Sequence, residues 1–223
     1  MNKSGLDSKS ISLLSTLVQA KEAMDRVPTK AGQYSRNIVN VLDDYVRLSE
    51  AIEQKSALYR AIAHCYLSLE SAAKTDEERS GYYKQTVVWA KKAVKADPNN
   101  ASLHAFLGYV YWIAELDYEE SAAEFRKAFD LGSSDDSAYV IASKIHYRSP
   151  DSQVSTGEIT GWLEKANRIA PNNADHHAFL AEVYYENSRI EDSLREWILA
   201  LLSTSPLQQG YIQTVKSVAG NSM

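Results

Sequence analysis

The chain has 223 residues, 44% hydrophobic and 24% charged, the make-up of an ordinary globular protein long enough for a substantial core. A net charge of −5 without any basic stripe excludes the counterion-displacing surface of a nucleic-acid binder; Lys91, Lys92 and Lys95 read as a solvated helix face. Nine glycines and five prolines leave little for all-β turns, and the lone Cys65 excludes an internal disulfide or a multi-cysteine metal site.

Met1-Asn2-Lys3-Ser4-Gly5 leads into an amphipathic pattern rather than an apolar signal region. No apolar run is long enough to span a bilayer, so no membrane insertion and a cytoplasmic location are the expectation. Residues 1–54 read as two helices. Ile11, Leu14 and Val18 keep helical spacing, as do Ile38, Val41, Leu42, Tyr45, Leu48 and Ile52, with a break at Val27-Pro28. This hairpin would cap the N-terminal end of the helices beyond it.

From about Ser56 onward the chain repeats itself. A shift of 73 residues aligns Pro98-Asn99-Asn100-Ala101 with Pro171-Asn172-Asn173-Ala174, and His104-Ala105-Phe106-Leu107 with His177-Ala178-Phe179-Leu180. Thirteen identities fall in the 23 positions from 89 to 111, where average composition would supply about one or two. Four amphipathic hairpins result: about 56–100, 101–134, 135–173 and 174–207. Their second helices are expected to start at Thr75, Asp117, Ser155 and Ser188, each followed three residues later by Glu78, Glu120, Glu158 or Glu191. That spacing lets side chains at a helix start satisfy amide groups that would otherwise lack partners.

The residues inside these hairpins resemble the tetratricopeptide repeat (TPR). In 101–134 the pattern is Leu107-Gly108, Tyr111, Ser121, Phe125 and Ala128; in 174–207 it is Leu180-Ala181, Tyr184, Ser193, Trp197, Ala200 and Pro206. Two looser copies read Ile62-Ala63, Tyr66, Thr86, Ala90, Ala93, Pro98, and Ile141-Ala142, Ile145, Ile159, Leu163, Ala166, Pro171. The resemblance implies an all-α fold, a right-handed α-solenoid of about four antiparallel helical hairpins. The N-terminal hairpin precedes it, and residues 208–223, with Ile212 and Val215, would form a C-terminal capping helix and tail.

No catalytic constellation, phosphate loop or metal motif is present in the sequence, so neither an enzyme nor a cofactor is expected. His176 and His177 are neighbours on a helix and point about 100° apart, which disfavours joint metal ligation. His104 and His177 take the slot where TPR proteins often carry tryptophan, which implies a packing role. Trp89, Trp162 and Trp197 fall on second helices among small residues and read as core.

In the family, first helices line the concave surface that holds the ligand. At i, i+4, i+7 spacing the candidate groove residues are Arg60 and His64, then Tyr109 and Trp112, then Tyr139, His146 and Tyr147, and finally Glu182 and Tyr185. The carboxylate clamp of chaperone-binding members is missing, since Ala105, Tyr109, Tyr139 and Ser143 stand at its places. The expected partner is therefore another protein, presented as a peptide or helix segment. Self-assembly into a homo-oligomer, or capture of a small molecule or signal peptide, are the alternatives.

Overall fold

The computed structural model describes residues 55–70, 73–115, 117–147 and 149–203. The expected N-terminal hairpin (1–54) and C-terminal capping helix (208–223) lie outside the described residues. Among the described residues there are eight helices and no strand. The chain divides into two compact units between Leu131 and Gly132. Gly132 has φ of 78°, a left-handed conformation that a side chain would strain.

The first unit holds α1 (Lys55–Leu69), α2 (Asp76–Ala96), α3 (Ala101–Glu115) and α4 (Tyr118–Asp130). Helices α1 and α2 form one hairpin, α3 and α4 the next, and α2 packs against α3. Their shared core runs from Leu58, Ile62, Tyr66 and Leu69 through Val87 and Trp89 to Leu107 and Val110. Each such aliphatic side chain contributes about 1.5–3 kcal/mol on burial. Gly108 lets α4 approach α3: a Cβ there would lie 3.0 Å from both the Phe125 ring and the Ser121 carbonyl.

The second unit holds α5 (Asp136–Tyr147), α6 (Thr156–Ile169), α7 (Ala174–Glu186) and α8 (Ile190–Ser203), paired in the same way, with α6 packed against α7. Its core includes Ile159, Leu163, Leu180 and Val183. The Ser193 hydroxyl donates to the Ala181 carbonyl (2.9 Å), tying α8 to α7. Tyr184 reaches from α7 to Glu164 on α6, its hydroxyl donating at 2.7 Å. Burial first, and the bond to that carboxylate second, push the Tyr184 phenol well above its ordinary pKa.

Three of the four expected second-helix starts are capped as read. Thr75, Asp117 and Ser155 accept from the amides of Glu78, Glu120 and Glu158 at 3.1, 3.1 and 3.2 Å. In α2 the glutamate returns a bond to the Lys74 amide rather than to the cap residue (2.7 Å). Ser188 differs. It adopts φ of 61°, and its amide and that of Arg189 donate to Tyr185 and Tyr184 carbonyls (3.0 and 2.9 Å). Ser188 thus closes α7 instead of opening α8.

The third hairpin departs from the sequence reading by one residue. Ile141 is 39% exposed, while Ala142 and Ser143 are fully buried and His146 is 2% exposed. The packed motif is therefore Ala142-Ser143-His146, not Ile141-Ala142-Ile145. Two hydrogen-bond patterns fix this register. The Oδ1 atoms of Asn100, Asp135 and Asn173 each accept from the amide two residues on, at 3.2, 3.1 and 3.1 Å. Four residues after each cap, His104, Tyr139 and His177 bond the carbonyl six residues behind them: Pro98 at 2.9 Å, Ser133 at 3.2 Å and Pro171 at 3.0 Å. Hydropathy hid the shift because polar residues fill two of the packed slots. They are satisfied locally: Ser143 donates to the Tyr139 carbonyl (2.8 Å), and His146 Nδ1 lies 2.9 Å from Ser152 Oγ.

Candidate functional site

The structure gives each unit its own aromatic-lined face on first helices. In the first unit Phe106, on α3, is the floor. His64 of α1 stacks on its ring at 4.3 Å between centroids, and the Arg60 guanidinium stands 5.5 Å from the same ring. Arg60 also donates from Nη1 to Ser102 Oγ (2.9 Å). Two cationic or polar side chains of α1 are thereby held flat along α3. One turn further, Tyr109 and Trp112 meet at 5.8 Å and 51°, both half-buried. Of the expected residues, Arg60 and His64 thus meet on the Phe106 ring, and Tyr109 and Trp112 meet each other further along α3.

In the second unit Phe179 of α7 takes the place of Phe106. The Tyr147 ring meets it edge-on (6.0 Å, 81°), and Lys144 Nζ lies 5.9 Å from it. The Tyr147 hydroxyl donates to Glu186 at 2.5 Å. Glu182 and Tyr185 lie on the outer side of α7; Tyr185 is 65% exposed.

Tyr139 and His146 do not face outward. Tyr139 is 3% exposed and His146 2%. Tyr139 is bonded to the Ser133 carbonyl, and burial raises its phenol pKa. His146 packs edge-on against Trp162 at 6.1 Å. The one-residue register shift is the physical reason: it turns their positions inward and turns Lys144 outward, which the sequence reading missed. With that shift, Val140 and Lys144 replace Tyr139 and Ser143 at the positions set against the chaperone clamp.

Of the three second-helix tryptophans expected in the core, Trp89 and Trp162 are buried, whereas Trp197 is 40% exposed. His104 and His177 pack as expected and do more. Their Nδ1 atoms lie 2.6 Å from Glu124 and from Glu196. Each ring therefore joins an inter-hairpin loop to its own hairpin's second helix. His176 goes elsewhere. Asn173 Oδ1 is occupied by backbone amides, so its amide group donates to His176 Nε2 (3.0 Å), with Asp136 3.6 Å away. Nδ1 is then buried without a partner. Burial holds this imidazole below its ordinary pKa, against the opposing pull of Asp136. The two adjacent histidines thus point to different partners, and no group of three or more potential metal ligands is found among the described residues. No helix among the described residues is long and apolar enough to cross a membrane.

No protein-family model matches the sequence, and no curated protein does. Solved structures do match. The MamA 41-end structure from Desulfovibrio magneticus RS-1 is 12% identical, with 88% of this chain and 96% of that one covered, at a TM-score of 0.59. TTC0263, a thermophilic TPR protein of Thermus thermophilus, is 19% identical over 76% and 89% of the two chains, at 0.53. YrrB, described as a TPR protein with an unusual peptide-binding site, is 16% identical over 87% and 97%, at 0.53. At these identities the likeness concerns the fold, which is the all-α repeat fold of TPR proteins.

Proposed function

We propose that this chain is a protein-interaction module whose aromatic face on α1 and α3 holds an extended or helical segment of a partner protein. The observation that carries the reading is the Tyr109–Trp112 pair on α3, the helix whose Phe106 ring also holds Arg60 and His64. Half-buried aromatic rings with polar tips, next to a guanidinium held in place, form the kind of surface that concentrates binding energy in protein interfaces. The face needs no chemistry beyond this, since no titratable pair on it is arranged for proton transfer to a substrate. In the second unit, Lys144, Tyr147, Glu182 and Tyr185 offer a further contact surface of mixed charge. The peptide-binding site in the description of YrrB is consistent with such a use of the fold, by analogy alone.

The test is affinity capture from the native host with the Tyr109→Ala/Trp112→Ala double variant beside the parent protein. Capture of a specific partner should fall at least about tenfold, with the far-ultraviolet circular dichroism unchanged. Undiminished capture by a natively helical double variant would show that this face is not the binding surface.

A further inference from the structure

Side chains of helices α5 and α7 meet in the second unit. Towards the end of α5, Lys144 and Tyr147 reach the Phe179 ring. At its start, Asp136 lies 3.6 Å from Nε2 of His176, which is 6% exposed. The hydrogen bonds around His176 fix where its proton sits. Asn173 Oδ1 accepts from the amides of Asp175 and His176, so the Asn173 NH₂ group points the other way, at His176 Nε2 (3.0 Å). A ring nitrogen that accepts a bond carries no proton, and the neutral ring is therefore protonated at Nδ1. That nitrogen is buried without a partner.

A second proton can enter only at Nε2, where it faces the Asn173 NH₂ group, donor against donor. Turning the Asn173 amide over would offer an oxygen but set its NH₂ group against the two backbone amides it caps. Asp136 is the acceptor that leaves the cap oxygen in place. Closing by about 0.8 Å would bring its carboxylate to the length of a charge-assisted bond, about 2.8 Å. Burial is the largest influence on the ring and disfavours its charged form. On α5, Asp136 favours that form and Lys144 opposes it; on α7, Asp175 favours it and His177 opposes it.

We propose that acid exchanges the partner of His176. Proton uptake at Nε2 breaks the bond from Asn173 and ties the ring to Asp136, so a hold on the cap of α7 becomes an ion pair between α5 and α7. The contact of Lys144 and Tyr147 with Phe179 lies between the same two helices, which makes the tie a proton-operated brace beneath that face. The inference does not rest on the face of α1 and α3.

The experiment follows the full chain, labelled with ¹⁵N in histidine and asparagine, by NMR from about pH 8 to about pH 4. His176→Gln identifies the ring signal. At the upper end the proton should sit on Nδ1, and a coupling across the hydrogen bond should join Asn173 Nδ2 to His176 Nε2. At the lower end both ring nitrogens should be protonated and that coupling lost. Asp136→Asn should lower the pKa of this ring by about one unit or more. Asn173→Asp keeps the cap oxygen but replaces the donor by an acceptor, and should raise it. A neutral ring protonated at Nε2, a ring still neutral at about pH 4, a coupling that survives protonation, or a pKa unmoved by either substitution would each overturn the exchange.

Discussion

His104 and His177 show how much one side chain can fix in this fold. Each ring bridges a loop carbonyl and a glutamate on the second helix of its hairpin, so replacing it removes two buried hydrogen bonds and leaves Glu124 or Glu196 facing an apolar ring. His104→Phe should therefore cost about 1–3 kcal/mol, read as a shift of the urea midpoint. A Glu124→Gln background should reduce that cost, because the carboxylate left behind is then neutral. His176 makes a different prediction, with a defined sign. Its folded pKa lies below the unfolded 6.5, because burial disfavours the charged ring. Stability tied to the neutral imidazole is then fully present above pH 6.5 and is lost as pH falls through the depressed folded value. In chemical denaturation, the stability difference between the parent protein and His176→Gln should shift against the parent as pH falls from about 7 to about 5. A difference independent of pH would mean that folding leaves the pKa of this ring unshifted. The partners of these histidines could not be read from the repeat. His104 and Glu124 are 20 residues apart but His177 and Glu196 only 19, so the 73-residue alignment that pairs the histidines sets Glu124 against Trp197.

At the scale of helices, the close approach at Gly108 is the sharpest constraint. Gly108→Val would drive methyl groups into the Phe125 ring and the Ser121 carbonyl. The clash should cost about 1–3 kcal/mol, outweighing any gain in helix propensity, and a raised thermal midpoint would contradict it. Ser155→Ala removes the cap that accepts from Glu158 and should cost about 1 kcal/mol by the same measurement. The helices themselves were legible because their apolar spacing, capping residues and loop prolines agree. The third first helix was legible only to within one residue. In Asp136–Tyr147, both Ile141-Ala142-Ile145 and Ala142-Ser143-His146 fit an apolar template, and hydropathy favours the wrong one. The signal that decides is the cap: Asp135 stands where Asn100 and Asn173 stand, and counting four residues from each leads to His104, Tyr139 and His177. Counting from the caps would have excluded Tyr139 and His146 from the outer face and admitted Lys144. Trp197 was misread for the opposite reason, since its slot is buried in every earlier hairpin.

For the molecule as a whole, the acidic balance sets solution behaviour more than fold. Net charge vanishes near the pI of 5.6, where repulsion between copies is least. Light scattering should accordingly peak close to that pH and fall on either side; a flat profile would mean that the apolar surface is fully covered. The ties at His104, Tyr139 and His177 have a consequence for how the chain tolerates changes in length. The span from loop carbonyl to ring is six residues in all three cases, whereas the turns inside hairpins range from the two residues between α3 and α4 to the eight between α5 and α6. The span from loop carbonyl to ring is held at one length, although the loops that join hairpins have four, five and four residues. The bends within hairpins vary more widely. A Gly-Ser insert of about eight residues between the exposed Pro150 and Asp151 should lower stability by well under about 1 kcal/mol. One glycine added between Asn99 and Asn100 should cost more, because it pulls a ring away from its carbonyl. The bend at Pro150 is thus a port for grafted peptides, and the loops at Pro98 and Pro171 are gauges whose length cannot be edited.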